Sequence, residues 1–311
     1  MSETSAQDRP ASGVADLMAA LGERRRAIDA ALDRALPREG DWPGELHRAM
    51  RYSLFAGGKR LRPVLALAAG EACGGATGEL MPFACALEMA HTFSLIHDDL
   101  PAMDDDDMRR GRPTCHKVFG EAMAVLAGDA LLNRAFELLA ELPPAADAGL
   151  VRRRLQATGL LAAAVGTGGL IGGQAEDMAH EGREVDAATL ERIHRAKTGA
   201  LLRACVSGGA ALADAGPEDR ERLARYGAAV GLAFQVVDDV LDATEPAERL
   251  GKTAGKDAKA KKATYVRVHG LEGARQAAAG LLAEALAAIE PMGAQAALLR
   301  SLARFVVERR T

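Results

Sequence analysis

From Val14 to Thr244 the apolar residues recur at helical spacing, and nearly every interruption of that pattern carries Pro or Gly. Such spacing lines one face of an α-helix, and Pro stops the helix by removing a backbone donor. The first helix begins near Val14, with Leu17, Leu21, Ile28 and Leu32 on its apolar face. Asp41 followed by Pro43 marks the start of a second, which the Gly57-Gly58 pair ends. Further helices are expected over Leu61 to Cys73, Glu79 to Asp99, Glu121 to Leu142, Gly149 to Met178, Ala187 to Ala213 and Pro217 to Thr244. Aromatic residues make up only 4% of the chain, while Ala, Leu, Glu and Arg recur, so helix is favoured over strand nearly everywhere. The expected architecture is all-α: a disordered tail over 1–13, then one helical domain over 14–311. Leu155 to Ala175 carries no charge and is long enough to cross a bilayer, but it holds six glycines and several polar residues. It reads as a buried central helix.

The formal net charge of -4 gives no overall field for a nucleic acid, so any anion binding must come from local clusters. The four cysteines form no CxxC pair, which points away from zinc or a disulfide framework and toward the reducing cytosol. The polar N-terminus lacks a signal-peptide pattern.

Six aspartates fall within the ten residues from Asp98 to Asp107: Asp98, Asp99 and Asp104 to Asp107. They repel one another unless cations intervene. An EF-hand would need a Gly and a terminal Glu that the segment lacks. On a regular helix Asp98 and Asp104 would face apart, but Pro101 forces the helix to end and lets Asp104 fold back toward Asp98. A second cluster, Asp238-Asp239-Val-Leu-Asp242, sits in an apolar helical run with Asp238 and Asp242 one turn apart on one face. Carboxylates there need a cation, and all-oxygen ligation favours a hard ion such as Mg²⁺ completed by water and phosphate oxygens.

Positive charge is supplied by Gly57-Gly58-Lys59-Arg60-Leu61-Arg62, by Arg109 and Arg110, by Lys197-Thr198-Gly199 and by a lysine-rich segment from Gly251 to Lys262. Two Asp clusters and separate basic clusters suit polyphosphate substrates. Gly251-Lys252-Thr253 imitates the end of a P-loop, but the leading Gly would fall at Pro246 and no strand precedes it.

DDLPAMD at 98–104, DDVLD at 238–242, GGKRLRP at 57–63, GQAED at 173–177 and AKTG at 196–199 together resemble the trans-prenyl transferases. Within that family the chain looks most like the bacterial farnesyl diphosphate synthases, over roughly residues 50 to 270. The resemblance implies long antiparallel helices around a central cavity, a cytoplasmic homodimer and three Mg²⁺ ions per site. It implies that Asp98, Asp99 and Asp104 hold metal on an allylic diphosphate, and that Asp238 and Asp242 hold the third ion. Arg109, Lys197, Lys252 and Lys262 would meet that diphosphate, while Gly58, Lys59, Arg62, His91 and Arg110 would hold isopentenyl diphosphate. Gln174, Asp177, Thr198 and Gln235 would line the reacting region, with Asp98, Asp104, Arg109, Lys197 and Asp238 the catalytic set. The family often has Pro after Thr264-Tyr265, where this chain has Val266.

The implied reaction condenses isopentenyl diphosphate with dimethylallyl and geranyl diphosphate to give farnesyl diphosphate. A geranylgeranyl diphosphate synthase would share every motif, and a non-catalytic regulatory subunit is the reading from another class. Phe93 bears on product length, because five residues of helix place it about 7.5 Å along the axis from Asp98. A ring there, beside Ser94, would act as a floor for the growing chain; the resemblance associates an aromatic at this position with fifteen-carbon products.

Overall fold

The computed structural model describes residues 14–244 and 263–308. The tail expected over 1–13, and Lys252 and Lys262, lie outside the described residues. The helices run in the order α1 (Val14–Ala35), α2 (Gly44–Leu54), α3 (Leu61–Ala72) and α4 (Thr77–Asp98). After a small hairpin come α5 (Cys115–Phe119), α6 (Glu121–Ala140), α7 (Ala148–Val165), α8 (Leu170–Ala179) and α9 (Ala187–His194). A π-helical turn (Arg195–Gly199) joins α9 to α10 (Ala200–Leu212), and α11 (Pro217–Thr244) follows. The chain ends in α12 (Tyr265–Ile289), a 3₁₀ segment (Glu290–Ala296) and α13 (Ala297–Glu308).

Several starts follow from side chains that satisfy otherwise orphaned N–H groups. Asp147 accepts from Leu150 N at 2.7 Å to open α7, and Asp186 accepts from Thr189 N at 2.7 Å to open α9. Thr264 does the same for α12 through Arg267 N at 3.2 Å.

A helix that is apolar all round belongs at the centre. That helix is α4, which buries Leu80, Phe83, Leu87, Met89, Phe93 and Ile96 against α3, α6 and α10. Helix α11 packs on α10 and α12. It joins the main core to a smaller cluster of Leu190, Leu232, Val236, Val237, Tyr265, Ala274 and Ala278. The fully buried Tyr226 ties α11 to α13 by donating its hydroxyl to Leu299 O at 2.8 Å.

The uncharged stretch differs from its expected form. It is broken at Gly166–Gly169 into α7 and α8, because the glycine-rich run lets the backbone leave the helix. Leu155 on α7 is 71% exposed, so the centre is α4 and α10 instead. Ala148–Ala179 and Tyr265–Glu308 are long and apolar enough to cross a membrane by length and composition. The first is interrupted by that break, and the second by a kink at Gly270 and by the 3₁₀ segment.

Between α4 and α5 the strands β1 (Met108–Arg109) and β2 (Arg112–Pro113) pair antiparallel. Their turn residues Arg110 and Gly111 have φ of 53° and 73°, the paired positive values that a two-residue hairpin favours.

Candidate active site

The first acidic motif folds as Pro101 demands. α4 ends at Asp98, and the chain turns back so that Asp104 N donates to Asp98 O at 2.8 Å. Asp105 N reaches Leu100 O at 3.0 Å and Asp106 N reaches Asp99 O at 3.2 Å. Backbone bonds thus hold Asp104 beside the end of the helix that presents Asp98.

Asp99 has a different setting from its neighbour. It is buried, and Arg109 Nε lies 2.8 Å from both of its carboxylate oxygens. Asp99, expected among the metal ligands, pairs here with Arg109 from the first strand of the hairpin, as a buried carboxylate requires.

Asp98 is half-buried, and burial pushes its carboxyl up to about 6. Lys197 and Arg109 oppose that rise, while Asp104 and Asp99 add to it. Asp98, Asp104, Asp238 and Asp242 offer oxygen donors only. This donor set fits a hard divalent cation such as Mg²⁺. On α11, Asp238 and Asp242 stand one helical turn apart.

Lys197 and Thr198 sit on the π-helical turn, a distortion that often marks functional sites because it re-aims side chains. The sequence shows no trace of it, since the pattern from Ala187 to Ala213 reads as one helix. Lys197 Nζ pairs with Asp177 Oδ2 at 2.7 Å across to α8. The approach of α8 requires Gly173: a Cβ there would lie 2.2 Å from Lys197 N. One turn before Asp177, buried Gln174 leaves Oε1 without a partner among the described residues.

A relay runs from this turn into the second motif. Thr198 Oγ1 donates to Gln235 Oε1 at 2.9 Å, and Gln235 Nε2 donates to Asp239 Oδ1 at 3.1 Å. Asp239 Oδ2 accepts from Tyr265 N at 2.7 Å, at the start of α12. Burial pushes Asp239 up to about 7; the bonds from Tyr265 and Gln235 lower it, while Asp238 and Asp242 raise it. His194 Nε2 lies 3.8 Å from Asp239, and burial takes His194 down to about 4, which keeps it neutral at physiological pH.

The basic loop between α2 and α3 is organised by Arg60, which the motif reading passed over. Its guanidinium is buried and bonds Glu88 at 2.7 Å, Asp29 at 2.8 Å and Leu54 O at 2.8 Å. That pins the loop to α4 and α1 and leaves Lys59 and Arg62 on either side. Lys59 is exposed, with Nζ 5.4 Å from the centre of the Phe305 ring on α13. Arg110 Nη1 donates to Gly57 O, and Gly58 beside it has φ of 120°, a backbone conformation that favours glycine. His91 stands between these elements. Burial first, then Arg62, Arg110, Arg109 and Arg60, holds its imidazole well below the usual range and therefore neutral.

Ser94 is buried and donates to His91 O at 2.9 Å. Phe93 is 6% exposed and meets His97 edge-on with ring centres 4.9 Å apart. The structure therefore forms two neighbourhoods. One joins Asp98, Lys197, Asp177, Thr198 and Gln235; the other joins Gly58, His91, Arg62 and Arg110.

The family profile described as polyprenyl synthetase matches residues 43–298. The chloroplastic heterodimeric geranylgeranyl pyrophosphate synthase large subunit 1 of Arabidopsis thaliana is 51% identical, covering 87% of this chain and 73% of that protein. The farnesyl diphosphate synthase of Bacillus subtilis is 44% identical over 93% of this chain and 97% of its own length. A solved FPP/GFPP synthase from Zymomonas mobilis superposes with a TM-score of 0.84 at 38% identity, covering 94% of this chain and 99% of that one. With its fold, its paired aspartate motifs and these matches in agreement, the chain belongs to the polyprenyl synthetase family and is a prenyl transferase.

Proposed function

We propose that this short-chain prenyl diphosphate synthase condenses isopentenyl diphosphate with dimethylallyl and then geranyl diphosphate, releasing farnesyl diphosphate. The observation that carries the reading is the pair of adjoining charged neighbourhoods, between which Arg109 stands. A metal-type carboxylate site with Lys197 suits an allylic diphosphate, while Arg62 and Arg110 around neutral His91 suit a second diphosphate bound without metal.

Bound Mg²⁺, three ions in all, would supply charge for the departing diphosphate and would be held by Asp98, Asp104, Asp238 and Asp242. The chain's own residues do the rest. Arg109, fixed by Asp99, and Lys197, steered by Asp177, bind the allylic diphosphate and stabilise its negative charge as the C–O bond ionises. Lys59, Arg62 and Arg110 orient isopentenyl diphosphate so that its double bond attacks the allylic cation. The released diphosphate takes the proton that restores the double bond. Apolar side chains such as Phe93 keep water from the cation.

Phe93 supports a fifteen-carbon product, because a buried ring about five residues along α4 from Asp98 limits the space for a longer tail. The relative from Arabidopsis thaliana favours a second reading, a twenty-carbon product. Chromatography of dephosphorylated products from dimethylallyl, geranyl and farnesyl diphosphates separates the two. A main fifteen-carbon alcohol and refusal of farnesyl diphosphate supports the first reading; extension to twenty carbons replaces it with the second. A homodimer working in the cytoplasm completes the proposal, and sedimentation velocity tests the assembly.

A further inference from the structure

The second aspartate motif contains a residue that the metal assignment does not use. Asp239 is 6% exposed, and its two oxygens are spoken for by Tyr265 N and Gln235 Nε2. The order of donors along this relay starts from one fixed point. A backbone N–H can only donate, so Asp239 Oδ2 accepts from Tyr265. Its other oxygen, Oδ1, accepts from Gln235 Nε2 at 3.1 Å, so the Gln235 NH₂ faces Asp239. The amide carbonyl then faces Thr198, whose hydroxyl proton is committed to it at 2.9 Å. Thr198 is left presenting oxygen lone pairs to its remaining neighbours. It lies half-buried, one residue beyond Lys197 on the π-helical turn.

We infer that Asp239 is a positioning residue: it fixes the amide of Gln235 with its carbonyl toward Thr198, so that both present negative dipole ends at the reacting region. The inference rests on the proposed ionisation of the allylic substrate, because a fixed pair of electronegative atoms favours a cation at the moment it forms. If the amide were reversed, Thr198 would accept from NH₂ and its own hydrogen would point outward, inverting the local field. Anchored to the backbone of α12 through Tyr265, the carboxylate is held before substrate arrives, so no reorganisation is needed during reaction.

Asp239→Asn tests this almost isosterically. The Asn carbonyl takes the Tyr265 N–H, its NH₂ faces Gln235, and the Gln235 amide must reverse. At pH 8 and saturating Mg²⁺, kcat should fall at least about tenfold, with KM for both substrates within about twofold. The double variant Asp239→Asn with Gln235→Glu puts an acceptor back between Asn and Thr198 and keeps the net charge, so kcat should recover most of the loss. Wild-type kcat in folded Asp239→Asn, no recovery in the double variant, or a loss seen only as a raised Mg²⁺ requirement would each overturn the inference. Should Asp239→Asn fail to fold in a thermal melt, Gln235→Met leaves the Tyr265 anchor intact and must show the same kcat loss; unchanged kcat there is equally fatal. Fluorination next to the reacting carbon of geranyl diphosphate separates the two layers of argument. A wild-type enzyme that is not slowed by fluorine removes the ionisation reading itself, whereas slowing by fluorine with an unaffected Asp239→Asn removes the Asp239 role alone.

Discussion

Replacing Asp98 by Asn should make the metal-free protein more stable while it destroys activity. The folded state raises the Asp98 carboxyl from 3.8 to about 6, chiefly by burial. A shift of about 2 units corresponds to about 3 kcal/mol at 1.36 kcal/mol per unit, and the remaining exposure of the half-buried side chain reduces this to about 1–3 kcal/mol. Because the folded pKa is the higher one, the native state binds more protons than the unfolded chain between about pH 4 and 6. Stability therefore falls as pH rises through that window, and the whole penalty is present above about pH 6. Asn carries no charge to desolvate. At pH 8 in EDTA, Asp98→Asn should melt about 2–6 °C higher than wild type, and at pH 4 most of the difference should vanish. With Mg²⁺ and both substrates the same variant should lose at least about a hundredfold in turnover. Paired thermal melts at the two pH values decide the matter. An equal gain at both, or no gain at pH 8, would refute the reasoning, because it would mean that Asp98 is not held charged at a cost.

Lys59→Ala and Arg62→Ala should raise KM for isopentenyl diphosphate more than KM for the allylic substrate in steady-state assays; equal effects would merge the two neighbourhoods. Gly173→Ala should cut turnover at least about tenfold, because a Cβ 2.2 Å from Lys197 N must displace either α8 or the π-helical turn, and crystallography or the loss of Lys197 function by kinetics would register it. Phe93→Ala should keep activity and move the main product toward twenty carbons if the ring is the floor; a melt lower by about 3–5 kcal/mol with unchanged product would assign it to the core alone.

What the sequence revealed and what it concealed divide along physical lines. Proline chemistry is local, so Pro101 was enough to anticipate that Asp104 returns to Asp98, as the 2.8 Å backbone bond shows. Periodicity placed α3, α4, α6 and α11 to within a few residues. The π-helical turn was invisible, because the residues of Arg195–Gly199 are compatible with ordinary helix and the close approach of Gly173 to Lys197 joins residues distant in sequence. The outward face of α7 was misread because an Ala-rich uncharged stretch resembles core, and burial is decided by neighbours that periodicity does not identify. Asp99 and Asp239 lay within recognisable motifs, yet their partners Arg109 and Tyr265 come from other elements. No spacing rule distinguishes a carboxylate that binds a cation from one that props up another residue. One signal was available for Asp239: Gln235 stands four residues earlier, on the same helical face.

The contact between Lys59 and Phe305 gives the last helix a practical importance for anyone handling the protein. A cationic group next to the basic loop rests on a ring from α13, 5.4 Å from its centre. Phe305 stands on α13 (Ala297–Glu308), the last helix described. A fluorescent label on α13 beside Phe305 would therefore sit close to the loop assigned to isopentenyl diphosphate, whereas one on the exposed face of α1 would sit on a helix that contributes none of the assigned ligands.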